Sequence, residues 1–174
     1  MTETHGPQSA ASDELVWFDG ADISESSPDW LAAKAIRIEV FVEEQDCPWA
    51  EEFDAYDGDA RHVLIRRRVD GQVHDIGTAR WRVVDDDGAP TAKLERFAVR
   101  SEYRGGGIGQ ALVNATLADA QDRGLERFVL HAQEYLVDFY RAFRFLTVGA
   151  RFIEAGIAHR RMVRDDRPAE QQPQ

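Results

Sequence analysis

Four glycines within five residues most constrain how this chain can fold. They lie in YRGGGIGQAL, residues 103–112, between TAKLERFAV at 91–99, predicted as a strand, and GIGQALVNATLADAQDRG at 107–124, predicted as a helix. Glycine is entropically costly to order and contributes no side-chain packing. Such a run between a strand and a helix therefore indicates either a flexible turn or a loop whose backbone holds a ligand.

The place of the glycines at the start of a helix favours an anion as that ligand. Successive backbone N–H groups at a helix N-terminus, with the helix dipole behind them, form an anion site. Glycines also let a phosphate approach the backbone without clashes against Cβ atoms. A diphosphate is therefore the expected guest, and Arg104 could add a charge-assisted contact.

Two common phosphate motifs do not fit this loop. A P-loop requires Gly-x4-Gly-Lys-Ser/Thr, but Gln110 and Ala111 follow Gly109, so the lysine and the magnesium-binding hydroxyl are missing. In a dinucleotide fingerprint that begins at Gly105 and Gly107, the third glycine would fall at Gln110. Both readings are therefore excluded.

The order of the apolar segments predicts an α/β (α+β) fold with a mixed sheet and helices on both faces. Strands are predicted at 14–18, 61–69, 73–84, 91–99 and 126–132, two more within 145–164, and helices at 25–45, 107–124 and 135–143. The chain order is therefore β-α-β-β-β-α-β-α-β-β.

The first of these helices has a recognisable start and an apolar stripe. Ser27 is placed to cap it. Leu31, Ala35, Ile38 and Val42 recur at helical spacing, so we expect them to form its buried face.

Composition limits the class of protein. A chain of 174 residues suggests one domain, which we place at 13–165 between disordered tails at 1–12 and 166–174. The formal charge of −11 argues against a nucleic-acid binder and is compatible with a neutral or cationic substrate, and the alternative is a solvated acidic surface that aids solubility. The single cysteine excludes an internal disulfide framework, no metal-ligand spacing is present, and no leader or membrane-spanning segment is seen, so a cytoplasmic location without a membrane partner is expected.

The glycine loop resembles a known motif, Arg/Gln-x-x-Gly-x-Gly/Ala, on Arg104, Gly107 and Gly109. With LERFAV before it and IGQAL after it, it is similar to the acyl-CoA pyrophosphate loop of the GNAT acetyltransferase superfamily. RIEVFVEEQDCPW, DARHVL and EAGIAHRRM resemble the ElaA-like branch. The resemblance covers roughly residues 14–164 and implies a GNAT-type, mostly antiparallel sheet of six to seven strands.

The resemblance also implies a cofactor site for acetyl-CoA, which acts as a co-substrate without a metal. The strand backbone that would bind the pantetheine arm belongs to Phe97, Ala98 and Val99. The backbone that would bind the pyrophosphate belongs to Arg104, Gly105, Gly106, Gly107, Ile108, Gly109 and Gln110. Gln133, where relatives often have Asn, would hold pantetheine or cap the following helix.

Tyr140 is the expected general acid. It lies in DFYRAFRF, which resembles the family motif in which a tyrosine protonates the departing CoA thiolate. A phenol suits that step because it can donate a proton within hydrogen-bond reach of sulfur. The alternative is a core tyrosine on the apolar face of its helix.

The base that accepts a proton from the amine is left open among Glu95, His131 and His159. A period of two would place Glu95 on the same strand face as Phe97 and Val99. The alternatives are a cross-strand ion pair for Glu95, a core histidine for His131 and a hairpin residue for His159.

Together these features predict an acyl-CoA-dependent N-acyltransferase that acts by direct attack in a ternary complex. The acceptor amine, the acyl length and the oligomeric state are not determined by the sequence, although a homodimer is the expected assembly. Glu43, Glu44 and Asp57 border the expected acceptor side and could attract a cationic amine, and the alternative is that they are ordinary solvated charges. The alternative function is a non-catalytic module that senses acyl-CoA.

Overall fold

The fold is built on one seven-stranded sheet, seen in a computed structural model that describes residues 11–168 and residue 170. Its strands are β1 (Ser12–Asp19), β2 (Arg61–Val69), β3 (Gln72–Asp86), β4 (Ala89–Val99), β5 (Arg127–Gln133), β6 (Leu146–Glu154) and β7 (Ile157–Asp165). Its helices are α1 (Pro28–Arg37), which continues as a π-helical turn (Ile38–Glu43), α2 (Trp49–Glu52), α3 (Ile108–Asp122) and α4 (Val137–Arg141). The predicted order of strands and main helices is confirmed.

The sheet order is β1-β2-β3-β4-β5-β7-β6, and only β4 and β5 run parallel. Helices cover both faces. On β2, Leu64 packs in the cluster formed with α1, whereas its neighbours Val63 and Ile65 pack against α3. Because successive side chains of a strand point to opposite faces, α1 and α3 lie on opposite sides, as expected for this fold class.

Ordered structure reaches into both segments expected to be tails. Residues 1–10, 169 and 171–174 lie outside the described residues. Ser12 already belongs to β1, and the Asp166 N–H donates to the Glu126 carbonyl at 2.8 Å.

The predicted buried stripe of the first helix is wrong. α1 buries Trp30, Ala33 and Ile36, and the π-helical turn buries Val40, whereas Leu31 is 43% exposed. Ser27 stands at the N-cap position, but its side chain makes no cap hydrogen bond. Both stripes have helical spacing, and contact with the sheet decides between them.

β4 and β5 separate soon after they meet. They pair only at Ala92 with Phe128 and at Lys93 with Val129. A bulge lies farther along β4, because Glu95 is opposite Arg80 while Ala98 is opposite Thr78, which leaves one extra residue on β4. The open wedge between the two strands is the feature that positions the candidate site.

Candidate active site

The glycine loop joins β4 to α3 and has two positions whose backbone conformation favours glycine. Gly105 and Gly107 have φ angles of +79° and +84°, which side-chain-bearing residues rarely adopt. A Cβ atom built on either glycine meets nothing within 4 Å, so the space in front of the loop is open. The loop therefore combines a left-handed backbone with free room for a ligand.

The first three backbone N–H groups of α3 have no partner within the helix. The first intrahelical bond runs from the Ala111 N–H to the Gly107 carbonyl, so the N–H groups of Ile108, Gly109 and Gln110 are the orphan donors of the helix. The Ile108 side chain is buried in the core, which leaves only its backbone for binding. These three donors lie within residues 104–110, where the sequence predicts an anion site.

A glycine that the sequence analysis missed brings α3 this close to the sheet. A Cβ atom on Gly77 of β3 would lie 3.1 Å from Ile108 Cγ2 and 3.3 Å from Leu112 Cδ1. Such contacts are tighter than normal packing, so glycine at this position lets the first turn of α3 rest on β3. An isolated glycine inside a strand pattern was the available signal.

The Arg104 side chain folds back onto β4. Its Nε donates to the Val99 carbonyl at 2.9 Å, and its Nη2 donates to Glu44 Oε2 at 2.7 Å. These bonds use two of the five N–H donors of the guanidinium, so a pyrophosphate would be contacted by the remaining donors or would replace one of these partners.

At the end of β4, the backbone N–H and C=O groups of every second residue point toward the wedge. The Arg100 N–H donates to Ile76 of β3, and donors alternate along an antiparallel ladder. The backbone groups of Val99 and Phe97 therefore face away from β3, toward the wedge, whereas those of Ala98 face β3. Of the three residues predicted to hold pantetheine, Phe97 and Val99 have the suitable orientation and Ala98 does not.

Tyr140 is buried on the α3 side of the sheet. Its ring packs edge-on against Phe97, Phe139 and Phe145. Within the described part of the chain no group hydrogen-bonds its hydroxyl. Burial, with a smaller effect of Tyr135, raises the pKa of Tyr140 well above its ordinary value, so the phenol stays protonated.

Gln133, at the end of β5, connects the wedge to the segment after α1. Its Nε2 donates to Gln45 Oε1 at 2.8 Å, and the Tyr135 hydroxyl donates to its Oε1. It does not cap the next helix through its side chain. Two neighbouring residues after α1 therefore contact both sides of the wedge. Glu44 binds Arg104, which is bonded to β4, and Gln45 binds Gln133 at the end of β5.

Glu95 is engaged by cations. Arg80 and Lys93 each approach it at 3.1 Å and Arg82 at 3.0 Å. Burial by itself would raise the pKa of Glu95, but these three cations outweigh it and hold the pKa below its usual range. The carboxylate is therefore a poor proton acceptor and fits the ion-pair alternative.

Glu95 also lies on the opposite strand face from Phe97, contrary to the period-two expectation. The extra residue of the bulge is at Arg96, whose φ is +58°. Leu94 and Phe97 both pack in the cluster on the α3 side, so Glu95 points to the other face. One inserted residue reverses every assignment that follows it.

His131 lies on the same face as Glu95. Its neighbours Leu130 and Ala132 pack with Tyr140, so the imidazole points to the opposite side of the sheet. It is not the core histidine offered as its alternative, because its side chain is 31% exposed. His159 is buried, and its Nδ1 lies 2.9 Å from the Ile157 carbonyl.

A buried ionic cluster beside this face escaped the sequence analysis. Arg37 and Arg80 are fully buried, and they share Asp57 at 2.6 Å each. Arg37 also binds Glu52, and Arg80 binds Asp54 at 2.7 Å. These ion pairs hold the segment between α1 and β2, which carries the three acids, against the sheet. No local pattern signals such a cluster, because its members are far apart in the chain.

The cluster removes two of the three acids expected to attract an amine. Asp57 is enclosed between Arg37 and Arg80, and Glu44 is paired with Arg104. Only Glu43 is exposed without such a partner among the described residues.

An acyl-CoA fits this arrangement. The open glycine loop and the three free N–H groups of α3 suit a pyrophosphate. β4 pairs with β5 only at Ala92 and Lys93, so β5 leaves the backbone of Val99 unpaired. No described residue hydrogen-bonds the Tyr140 hydroxyl. Among the residues that the structure describes, no group of three or more His, Cys, Asp and Glu side chains could hold a metal ion. None of the described helices is long and apolar enough to cross a membrane.

Comparisons with known proteins identify the family of the chain. Residues 33–165 match the family model described as an acetyltransferase (GNAT) domain. The protein ElaA of Escherichia coli is 35% identical over 155 residues, which are 87% of this chain and 97% of ElaA. The uncharacterized N-acetyltransferase YjcF of Bacillus subtilis is 35% identical over 131 residues, 75% of this chain and 88% of YjcF.

Solved structures show the same fold. The crystal structure of Escherichia coli ElaA superimposes with a TM-score of 0.73 and 29% identity, over 88% of this chain and 100% of that chain. An acyl-CoA N-acyltransferase from Pseudomonas aeruginosa gives the same TM-score and identity, over 88% of this chain and 99% of that one. The resemblance to the ElaA-like branch is confirmed.

Proposed function

The chain belongs to the GNAT acetyltransferase family, and we propose that it transfers an acetyl group from acetyl-CoA to an amine by direct attack in a ternary complex. The observation that carries the proposal is that Tyr140 and His131 lie on opposite faces of the sheet, where β4 and β5 separate. Tyr140 lies on the face that α3 covers and His131 on the opposite face, near the end of the wedge between β4 and β5. A thioester in that wedge would have an acid on one side and an acceptor site on the other.

The glycine loop and the start of α3 would bind the pyrophosphate through backbone N–H groups. The pantetheine arm would then follow β4 beside Val99 and Phe97, whose backbone groups face the wedge. A backbone N–H directed at the thioester oxygen would stabilise the oxyanion that forms during attack. Acetyl-CoA supplies the activated acyl group, and the chain supplies position and proton transfer.

Each proton step has a candidate side chain. The amine nitrogen attacks the thioester carbon and loses a proton to a base, for which His131 is favoured because Glu95 is neutralised by three cations. The carbon–sulfur bond then breaks, and Tyr140 donates its proton to the leaving sulfur. Burial that keeps the phenol protonated would also disfavour a free thiolate beside it.

Thermal unfolding with and without acetyl-CoA tests the binding half of the proposal. A ligand present at about a hundred times its Kd stabilises the native state by roughly 2.7 kcal/mol, which corresponds to a rise of a few degrees in Tm for a domain of this size. No rise at millimolar acetyl-CoA would contradict the proposal.

Release of free CoA in the presence of a panel of small amines, amino acids and peptides tests the catalytic half. Binding of acetyl-CoA without transfer to any acceptor, and without an effect of Tyr140→Phe, would instead favour a module that senses acyl-CoA. Sedimentation would test the expected homodimer.

A further inference from the structure

His131 and Glu154 form a pair on the face of the sheet away from Tyr140. His131 Nδ1 lies 3.0 Å from Glu154 Oε2, across the β5–β7–β6 edge of the sheet. We infer that Glu154 is a positioning residue that holds the His131 imidazole ready to take the proton of the acceptor amine. This inference rests on the acetyl transfer proposed above.

An aromatic side chain fixes the ring from a second direction. Phe152 meets the His131 ring edge-on, with 4.9 Å between centroids and an interplanar angle of 74°. Phe152 is itself stacked on His159, its cross-strand partner, at 5.9 Å and 26°. The imidazole is thus held by one hydrogen bond and one ring contact, which restrict its rotation.

The hydrogen bond also decides which nitrogen is free. The bond from His131 lowers the pKa of Glu154 although partial burial opposes it, and smaller electrostatic effects of His159 and Lys93 lower it further. An ionised carboxylate only accepts hydrogen bonds, so Nδ1 of His131 carries the hydrogen. In the neutral ring the lone pair is then on Nε2, which no other described residue contacts by a hydrogen bond.

The other two candidate bases lack this combination. The Glu95 carboxylate is neutralised by Arg80, Arg82 and Lys93. His159 is only 8% exposed and lies beneath Phe152. His131 alone combines an orienting carboxylate with an accessible ring, an arrangement that recurs wherever a histidine base is oriented by a third group.

Each bond and proton in the proposed transfer is accounted for. The amine nitrogen forms a bond to the thioester carbon as one N–H proton passes to Nε2 of His131, and the carbon–sulfur bond breaks. The sulfur takes the Tyr140 proton, giving the amide and CoA thiol. Glu154 stabilises the imidazolium until it returns its proton to solvent, and solvent restores the Tyr140 proton.

The chain offers a matched control for Glu154. Glu134 accepts a hydrogen bond from Arg151 of β6 at 3.0 Å and is 47% exposed, against 46% for Glu154. Both carboxylates tie the end of β5 to β6, but Glu134 does not contact a histidine. Glu154→Ala and Glu134→Ala therefore each remove a half-exposed carboxylate that bonds across this edge of the sheet, but only Glu154→Ala removes a partner of His131.

Steady-state kinetics with acetyl-CoA and an active amine test the inference. We expect Glu154→Ala to lower kcat by about tenfold or more, part of the roughly 10²–10⁴ that a positioned base contributes, while KM for acetyl-CoA stays unchanged. Glu134→Ala should behave as the wild type. The double variant His131→Ala/Glu154→Ala should be no slower than His131→Ala, because the two residues act as one unit. Equal kcat values for Glu154→Ala and Glu134→Ala, or additive losses in the double variant, would overturn the inference.

Nuclear magnetic resonance of the imidazole nitrogens supplies a readout that needs no acceptor. In the neutral wild-type protein His131 should carry its proton on Nδ1, and Glu154→Ala should abolish that preference whereas Glu134→Ala should not. A proton on Nε2 in the wild type would overturn the inference. With the expected tautomer in place, failure of the wild type to acetylate any amine would overturn the transferase function, and transfer that is indifferent to Glu154 would overturn only the role of Glu154.

Discussion

The ring of Tyr140 meets the ring of Phe97 edge-on, with 6.1 Å between the two centroids. This contact joins a five-residue helix, α4, to the end of β4, the strand that leads into the glycine loop. So short a helix has little stability of its own. The position of the phenol is therefore set by its aromatic neighbours rather than by α4.

Removal of the Tyr140 hydroxyl should preserve acetyl-CoA binding and lower the rate of acetyl transfer. Tyr140→Phe keeps the ring against Phe97, so we expect the acetyl-CoA-induced rise in Tm to remain. The rate kcat should fall by about a hundredfold or more, because the sulfur then leaves without an acid. Tyr56→Phe is the control, since Tyr56 is exposed and its ring rests under Arg82, a contact that Phe retains. Equal kcat values for the two variants would contradict the acid role.

Two neighbouring glycines should respond differently to a methyl group. Gly107→Ala forces a side chain into a left-handed backbone, which costs roughly 1–2 kcal/mol. Gly106 lacks that constraint, and a Cβ there meets only the Tyr103 carbonyl at 3.7 Å. We expect Gly106→Ala to unfold in urea at the wild-type midpoint or above it, and yet to bind acetyl-CoA more weakly, because the methyl group enters the proposed pyrophosphate site. Unchanged affinity for acetyl-CoA would argue against a ligand at Gly106.

The buried ionic cluster should depend strongly on Arg80. Arg80→Met leaves Asp57, Asp54 and Glu95 without their shared cation, and removal of one partner of a buried ion pair typically costs about 3–5 kcal/mol. Arg141→Met removes an exposed arginine–aspartate pair and should change the free energy of unfolding by less than about 1 kcal/mol. Urea denaturation of both variants measures the difference, and similar midpoints would show that the cluster contributes little.

The stability of the fold should decline in mild acid because of His62. Burial lowers the pKa of His62 from 6.5 to about 4, against a smaller opposing effect of its hydrogen bond to the Asp57 carbonyl. Between these two values the unfolded chain binds a proton that the folded protein does not, so stability is fully present above pH 6.5 and decreases as the pH falls toward 4. At about 1.4 kcal/mol per pH unit of difference, the free energy of unfolding should drop by about 3 kcal/mol across this window.

Urea titrations at a series of pH values measure this slope. His62→Gln retains a donor for the Asp57 carbonyl and has no proton to bind, so its slope between pH 6.5 and 4 should be flatter than that of the wild type. An equal slope would assign the acid sensitivity to other groups.

Local patterns determined the strands, the main helices and the glycine loop, because alternation, helical spacing and turn residues act over a few neighbouring positions. The same patterns failed at α1, where Leu31 and Trp30 belong to two equally regular stripes and only contact with the sheet selects the second. They failed again at Glu95, where the bulge at Arg96 changes the face of β4.

Sequence patterns predicted the order of elements, which the structure confirms, and an anion site at the glycine loop, and the family resemblance added Tyr140 as the expected acid. Only the tertiary structure decided which candidate base is accessible and which acids are neutralised by buried arginines. The two kinds of property differ in how far along the chain their determinants lie. Backbone conformation depends on near neighbours. The charge state and exposure of Glu95, Asp57 and His131 depend on tertiary contacts, such as Arg80 with Glu95 and Asp57, 15 and 23 residues away, and Glu154 with His131, 23 residues away.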